Sequence, residues 1–174
     1  DLVILPGSKN VPRDLTYAFK WKQELSDFTG QILAICGGMQ ILGKHIADPH
    51  GIEDLAQTHK GLHLIPLISE FNKEKITRQN NFKEDLFGSQ VEGYEIHHGI
   101  SIHSKKGLKY FCAQKKDGIL YKKIIGTYLH GILDSAEFRQ ALFQQFIPEY
   151  RVPKKVVDPI DRLADHFEKY LDLS

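Results

Sequence analysis

Over the first quarter of the chain, the apolar positions follow two patterns in turn. One is a short continuous apolar run, and the other is the spacing of apolar residues on one face of a helix. Apolar runs predict buried strands at 2–5 and 31–35. Helical spacing predicts helices over Arg13–Phe28 and from Gly38 to about Ile46, before Asp48, Pro49 and Gly51 break the pattern. The order strand, helix, strand, helix indicates parallel strands joined by right-handed crossovers, as in an α/β fold.

The middle of the chain changes to alternating and β-branched runs punctuated by glycine. These runs predict strands and hairpins in the segments GLHLIPLISEF, VEGYEIHHGISIHS, LKYFCAQ and DGILYKKIIGTYLHGIL. The polar stretch KEKITRQNNFKEDLFGSQ is interpreted as a charged connection over the surface. Helices are predicted after a capping Ser135 and at the C-terminus, where Asp158 and Pro159 precede an amphipathic run.

Composition and charge limit the classes of partner. The 174 residues carry a formal net charge of +1, which does not favour binding to nucleic acid or to an anionic membrane. Two cysteines without a Cys-x-x-Cys pair, and no signal-like start, favour a reducing cytoplasm. Because residue 1 already lies at the edge of a strand, we expect a fragment of a longer chain.

Cys36 is the first candidate for chemistry. It follows the strand at 31–35 and precedes Gly37-Gly38 and a helical pattern, so a tight turn would hold its thiol at the end of the strand. Amides at the start of the next helix could stabilise a thiolate or an oxyanion. A lone cysteine after an apolar run is more often a buried core residue, and the local pattern leaves both interpretations open.

His130 repeats this arrangement, since a strand predicted at 123–129 delivers it to a glycine turn. Two such strand ends can lie side by side at one edge of a sheet, which would bring Cys36 and His130 together as nucleophile and base. A histidine in a solvent-facing loop is the alternative. Glu95 and His97 alternate on a predicted strand and fit the wall of a polar pocket. A metal site is not favoured, because no second carboxylate or cysteine lies at the spacing of metal ligands.

Six blocks in order carry a family resemblance over nearly the whole chain: LVILPGSKN, ICGGMQILG, DPHGIED, GLHLIP, GYEIHHG and GTYLHGILDSAEFR. Together they resemble the glutamine amidotransferase domain of cobyric acid synthase. The resemblance implies a flavodoxin-like class I fold, a mixed and mostly parallel sheet flanked by helices, with the domain's first strands cut away. Residues 1–174 would then be a glutaminase domain whose ATP-dependent synthetase domain is absent.

The resemblance also implies roles for individual residues. Cys36 would be the nucleophile that attacks L-glutamine, and His130 its base. Backbone amides of Gly7 or Ser8 and of Gly37 would form the oxyanion hole, while Gln40, Glu95 and His97 would hold the backbone groups of glutamine. This domain would need no cofactor, whereas ATP and Mg²⁺ would serve the synthetase domain in amidating carboxylates of a cobyrinic acid diamide for cobalamin.

One departure concerns the group that orients the base. Most triad amidotransferases carry His-Pro-Glu, but this chain has His130-Gly131-Ile132, as the cobyric acid synthase branch does. The orienting group stays open among Glu95, Glu137 and Asp134, and a Cys-His dyad is a further option. We expect slow glutamine hydrolysis from the isolated domain, since the partner would complete the site.

Other functions remain open at this point. The chain also resembles the glutaminase subunit of lipid II isoglutaminyl synthase and the glutaminase half of cobyrinic acid a,c-diamide synthase. A non-catalytic flavodoxin-like binding module, with PGSKN holding a phosphate, is an alternative from another class, although that loop is poor in glycine. A catalytically dead scaffold is the last alternative. A reactive thiol at Cys36 would separate an enzyme from the last two.

Overall fold

The computed structural model describes residues 1–153 and 159–170, and the elements named here belong to those ranges. In chain order they are β1 (Leu2–Leu5), α1 (Val11–Ala18), α2 (Lys22–Asp27), β2 (Gln31–Ile35), α3 (Gly37–Leu42), β3 (His45–Asp48), β4 (Gln57–Lys60), β5 (Leu67–Lys83), β6 (Gln90–His103), β7 (Ile119–Tyr121), β8 (Ile124–Thr127), α4 (Ala136–Gln144) and α5 (Pro159–Tyr170). Single 3₁₀ turns lie at Phe19–Trp21 and Ile132–Asp134.

The first sheet has the order β1-β2-β8-β7. Strands β1, β2 and β8 are parallel, and β7 is antiparallel to β8. The predicted strands at 2–5 and 31–35 are confirmed with the same bounds. Because β2 and β8 are parallel neighbours, their carboxyl ends lie side by side at one edge of the sheet. Cys36 follows β2, and the segment leading to His130 follows β8. Both therefore begin at this edge.

The second sheet has the order β4-β3-β5-β6, and its largest part is the hairpin formed by β5 and β6. The prediction of a surface connection at 73–90 is wrong, because residues 73–83 form the second half of β5, in which residues 76–83 pair with β6. Most side chains of that half are exposed or only partly buried, so the segment has no apolar alternation. It is a strand because its backbone pairs with β6.

Two further expectations need correction. The helix predicted to run to about Ile46 ends at Leu42, and His45 and Ile46 instead begin strand β3, which pairs with β4 and β5. The segment 108–114 is not a continuous strand and makes only isolated bridges, at Lys109 and Cys112. In both places the apolar pattern alone fits more than one type of backbone structure. Whether the segment pairs with other strands decides which structure forms.

Helices flank the sheets. The helix predicted over Arg13–Phe28 is divided into α1 and α2 by a 3₁₀ turn. Ser135 precedes α4 as predicted, but its hydroxyl accepts a hydrogen bond from the N–H of Glu92 on β6 instead of capping the helix. Helix α5 starts at Pro159, and Asp158 lies outside the described residues. None of the described helices has the length and apolar character needed to cross a membrane.

The α/β class with mixed sheets and flanking helices is confirmed. Parallel pairs predominate in the first sheet and antiparallel pairs in the second. A core of buried aliphatic side chains from β2, α3 and β3 joins the two sheets, with Ile32, Met39, Leu42 and Ile46 fully buried. This core fixes the start of α3, and with it Cys36, relative to the hairpin.

Candidate active site

Cys36 occupies a strained turn between β2 and α3. Its backbone has φ 49° and ψ −112°, a region that costs a residue with a side chain about 1–3 kcal/mol. The turn is held because the N–H of Cys36 donates a hydrogen bond to the carbonyl of Thr127 at 2.8 Å. This is the arrangement that presents a nucleophile at the carboxyl end of a strand.

The two glycines after Cys36 are required by close backbone contacts. A Cβ at Gly38 would lie 2.5 Å from the carbonyl oxygen of Leu5, and a Cβ at Gly37 would lie 2.7 Å from the backbone nitrogen of Ser8. The turn after β2 therefore packs directly on the loop after β1. As a result, the backbone amides of Ser8 and Gly37 are neighbours beside the thiol.

His130 lies beyond the end of β8 and is held by strand-like contacts with β6. Its N–H donates to the carbonyl of Tyr94 at 2.8 Å, and its carbonyl accepts from the N–H of Tyr94 at 3.1 Å. The two rings stack with centroids 5.1 Å apart. On the other side, a Cβ at Gly7 would lie 2.6 Å from Cε1 of His130, so the loop after β1 also touches this ring.

The His130 ring has the properties of a general base. Its Nε2 is buried and has no hydrogen-bond partner within the described chain. Burial, and to a smaller degree the charge of His97, lower the pKa of His130 below its ordinary value of 6.5. The imidazole is therefore neutral at pH 7, with a nitrogen available to accept a proton.

One cavity of about 610 Å³ collects six of the eight predicted site residues. Its lining includes Gly7, Ser8, Cys36, Gln40, His97 and His130. The structure thus brings Cys36 and His130 to the same cavity at one edge of the first sheet, as the strand-end argument predicted. Segments separated by most of the chain form a single site.

The thiol itself is not activated by its surroundings. Burial raises the pKa of Cys36 to about 11, although the N–H of Gly37 acts in the opposite direction. The side chain is therefore a protonated thiol at neutral pH. A nucleophilic role for Cys36 needs a base that removes the proton as sulfur attacks, and His130 lines the same cavity.

The opposite wall of the cavity comes from the hairpin, where Glu95 is buried behind His97. Burial alone would raise the pKa of Glu95, but hydrogen bonds from His97, Asn80 and Arg78 outweigh it and lower that pKa to about 2. Oε2 of Glu95 lies 2.9 Å from Arg78 Nη2 and 3.4 Å from His97 Nε2. The carboxylate is thus ionised and anchored within the hairpin.

Two predicted site residues do not line the cavity. Glu95 lies behind His97, so it can reach a ligand only through that ring. Gly37 is buried in the turn, with its N–H directed at the sulfur of Cys36. The sequence places both residues in segments that border the cavity, but it does not indicate that both are turned away from it.

The structure also adds residues that sequence reasoning missed. Glu53 lines the cavity, accepts a hydrogen bond from the N–H of Val11 at 2.7 Å, and has a pKa raised by burial. Glu53 belongs to the block DPHGIED, which contributes to the family resemblance, but the sequence alone gives this residue no role. Two lysines, Lys9 and Lys75, give the cavity positive charge. The cavity is therefore lined by side chains of both charge signs.

A second missed carboxylate lies under the edge of the first sheet. Asp117 is buried, accepts hydrogen bonds from Thr127 Oγ1 at 2.5 Å and from the N–H of Tyr128 at 3.0 Å, and holds the segment that leads to His130. Burial raises the pKa of Asp117 to about 6. The pair Asp117-Gly118 is typical of an exposed turn, so the sequence gives no signal of its burial.

None of the three carboxylates proposed to orient His130 does so within the described chain. Glu95 is hydrogen-bonded to hairpin residues, and Glu137 accepts from the N–H of Gln90 at 3.1 Å. Asp134 lies in the turn after Gly131 and makes no hydrogen bond to the His130 ring. In the described residues, the site therefore consists of a cysteine and a histidine without an acid.

Comparisons with known proteins indicate the family to which the chain is related. A sequence model of the CobB/CobQ-like glutamine amidotransferase domain matches residues 1–138. A cobyric acid synthase from Clostridium botulinum (strain Okra / Type B1) is 36% identical over 99% of this chain and 38% of that protein. One from Chlorobium phaeobacteroides (strain BS1) is 37% identical over 99% of this chain and 39% of that protein. The chain thus spans less than two fifths of the length of these relatives.

A crystal structure of a glutamine amidotransferase superposes with a TM-score of 0.57 and 12% sequence identity, over 83% of this chain and 77% of that one. At this identity the likeness concerns the fold. Since the family match covers most of the chain, including Cys36 and His130, the chain belongs to the CobB/CobQ-like glutamine amidotransferase domain family.

Proposed function

We propose that this domain hydrolyses L-glutamine with Cys36 as the nucleophile and His130 as the general base. His130 takes the thiol proton while sulfur attacks the carbon of the side-chain amide. The tetrahedral intermediate collapses as His130 returns the proton to the amide nitrogen, which leaves as ammonia. Water, deprotonated by the same ring, then hydrolyses the γ-glutamyl thioester to glutamate and the free thiol.

The observation that carries this proposal is the pairing of two uncommon features in one cavity. Cys36 has a strained backbone, and Nε2 of His130 is buried without a hydrogen-bond partner among the described residues. A core cysteine needs no such turn. A loop histidine would satisfy its nitrogen with water or with the protein.

The oxyanion of the tetrahedral intermediate needs hydrogen-bond donors that are already in place. The neighbouring backbone amides of Ser8 and Gly37 are the best candidates, with Gly7 beside them. One such donor contributes about 3 kcal/mol to the stability of the transition state. Glycine at position 37 is needed because any larger residue would displace Ser8.

The backbone groups of glutamine would be held on the hairpin side of the cavity. Gln40 and His97 face the cavity there, and Glu95 acts through His97. Oε2 of Glu95 lies 3.4 Å from Nε2 of His97 and orients the imidazole, whose N–H groups suit an α-carboxylate of the ligand. Gln40 carries an amide oxygen that suits an α-ammonium group.

The ammonia would serve an ATP-dependent synthetase unit that amidates carboxylates of a cobyrinic acid diamide in cobalamin biosynthesis, in the cytoplasm. Support comes from the name of the relatives, cobyric acid synthase, and from their greater length. ATP and Mg²⁺ would act on the synthetase side. The described residues contain no group of three or more His, Cys, Asp or Glu side chains placed to hold a metal ion.

The chemistry can be tested with a glutamine analogue that carries a diazo ketone in place of the amide. We expect it to alkylate Cys36 once per chain, with protection by glutamine, as measured by peptide mass spectrometry. Cys112, which is buried among aromatic and aliphatic side chains, is the internal control and should remain unlabelled. Labelling of Cys112 ahead of Cys36 would contradict the assignment.

The acceptor can be tested separately by pairing the domain with candidate synthetase units. We expect glutamine-dependent amidation of a cobyrinic acid diamide with the cognate synthetase. Transfer of ammonia to a peptidoglycan precursor, with a Mur-ligase-like partner, would instead support the lipid II alternative. The same synthetase supplied with free ammonium in place of glutamine tests the acceptor without Cys36, so the two parts of the proposal can fail independently.

A further inference from the structure

Gln40 and His97 come from two different elements and need a common support. Gln40 lies on α3 and His97 on β6, yet both are buried, with exposed fractions of 2% and 8%, and both line the cavity. A long amide side chain such as that of Gln40 loses substantial rotamer freedom when it is fixed. Specific contacts behind the cavity must therefore hold these two groups.

Tyr128 contacts both of them from behind. Its ring stacks on the imidazole of His97, with centroids 4.0 Å apart and an interplanar angle of 23°. Its hydroxyl oxygen accepts a hydrogen bond from Nε2 of Gln40 at 3.1 Å. Tyr128 itself does not line the cavity and is nearly fully buried, so it acts on a ligand only through its neighbours.

The hydrogen-bond pattern fixes the orientation of the Gln40 amide. An amide nitrogen can only donate, so the hydroxyl of Tyr128 must accept from it and is left with its own proton to donate. Oγ of Ser101 lies 2.5 Å from that hydroxyl, and Oγ of Ser69 lies 2.6 Å from Ser101. Within the described chain no hydrogen bond reaches Oε1 of Gln40, which leaves this oxygen available to a ligand.

The imidazole of His97 is oriented by the same cluster. Its Nδ1 lies 2.7 Å from the carbonyl oxygen of Gly99, which can only accept, so Nδ1 carries a proton. The backbone at Gly99 also makes room for the Gln40 amide, because a Cβ there would lie 2.1 Å from Nε2. The ring of Tyr128, the amide of Gln40 and the strand at Gly99 thus pack as one unit. Burial raises the pKa of Tyr128 far above its ordinary value, so its proton stays in place.

We propose that Tyr128 is a positioning residue of the glutamine pocket, whose hydroxyl fixes the amide of Gln40 and whose ring supports the imidazole of His97. The inference rests on the proposed function and adds a residue to which the comparisons assign no role. It separates two effects of one side chain. Removal of the hydroxyl should weaken glutamine binding. The hydroxyl contacts neither Cys36 nor His130, so the reactivity of the thiol should be unchanged.

The test is Tyr128→Phe, which retains the stacked ring and removes the hydroxyl. We expect KM for glutamine to rise about 5- to 10-fold, the usual effect of one lost hydrogen bond of this kind, while kcat changes less than about 2-fold. The concentration of the diazo ketone analogue that half-saturates Cys36 labelling should rise by the same factor. The rate of alkylation by iodoacetamide, which does not use the pocket groups, should remain unchanged.

Two further variants make the result specific. Tyr110→Phe is the matched control, because Tyr110 also stacks on a histidine, His103 at 4.1 Å, but lies outside the cavity. The KM of this variant should remain that of the wild type.

Gln40→Ala should raise KM by itself, and adding Tyr128→Phe to it should raise KM no further. If Tyr128→Phe does not fold, Ser101→Ala tests the same hydrogen-bonded cluster and should raise KM by a smaller factor.

The outcomes distinguish this inference from the function on which it rests. Absence of analogue labelling in the wild-type protein overturns the proposed function. Normal labelling in the wild type, with the same half-saturation in Tyr128→Phe, overturns the role of Tyr128 alone. A fall in kcat, a rise in KM and a fall in the rate of iodoacetamide alkylation, all by the same factor, would show a general structural role and also contradict the inference.

Discussion

The strand-end edge of the first sheet and the β5–β6 hairpin form the same cavity in different ways. At the edge, backbone geometry places the groups: Cys36 lies on a strained turn, and glycines allow neighbouring loops to touch. On the hairpin, side chains place one another, with Arg78 holding Glu95 and Glu95 holding His97. The comparison suggests that the edge performs the chemistry and the hairpin recognises the substrate.

The first prediction addresses the edge. Cys36→Ser should lower glutamine hydrolysis by about 1000-fold or more, because a serine hydroxyl is a far weaker nucleophile than a thiol at this site. Release of glutamate measures the activity, and urea unfolding should show a free energy of unfolding close to that of the wild type. Cys112→Ala is the control and should retain turnover. Retained hydrolysis in Cys36→Ser would remove the nucleophile assignment.

The second prediction concerns the base. His130→Ala should lower kcat by about 100- to 10,000-fold with little change in KM, since the ring acts on protons and not on binding. The wild-type rate should be lost as pH falls through the pKa of His130, which burial places below 6.5. In the variant this acidic limb should disappear from the pH profile. Unchanged turnover would refute the role as base.

The third prediction uses two carboxylates, one from each region, with opposite pKa shifts. Asp117 under the edge has a pKa raised from 3.8 to about 6. Its contribution to stability is therefore complete below pH 3.8 and is lost as pH rises through 6, a change of about 3 kcal/mol at about 1.4 kcal/mol per pH unit. Glu95 in the hairpin, with a pKa lowered from 4.5 to about 2, stabilises above pH 4.5 and loses that contribution as pH falls towards 2.

Urea unfolding of Asp117→Asn between pH 4 and pH 7 measures the first of these contributions. The difference in free energy of unfolding between wild type and variant should decrease as pH rises, because asparagine does not ionise. The matched variant Glu95→Gln should show the opposite trend, visible below pH 4.5. A difference that does not depend on pH would contradict the pKa shift of that carboxylate, which comes from burial for Asp117 and from hydrogen bonds for Glu95.

The fourth prediction addresses the hairpin and has the smallest effect. His97→Ala should raise KM for glutamine about 10-fold, equivalent to about 1.4 kcal/mol, and should leave kcat within a few-fold of the wild type. Steady-state kinetics measure both constants. His103→Ala, on the same strand and outside the cavity, is the matched control. A large loss of kcat without a change in KM would contradict the division of roles between edge and hairpin.

The sequence predicted the edge more accurately than the hairpin, for a physical reason. The runs at β1 and β2 are continuous and apolar, and β2 is covered on both faces, so local composition reveals both strands. The second half of β5 is mostly exposed and carries charged residues, with only Phe82 buried in the core, so no apolar periodicity marks it as a strand. Its strand conformation depends on backbone hydrogen bonds to β6 across the hairpin, and its own side-chain pattern does not record that pairing.

The sequence by itself determined the α/β class, the turn after β2 with Cys36, and the candidate residues, because strand ends and glycine turns are local features. Only the tertiary structure decided which candidates face the cavity, that Glu95 lies behind His97, and that no carboxylate of the described chain contacts the His130 ring. It also revealed the buried Tyr128 and Asp117. Burial and hydrogen-bond partners depend on segments that are far apart along the chain, and these partners set the pKa values and the orientation of the side chains.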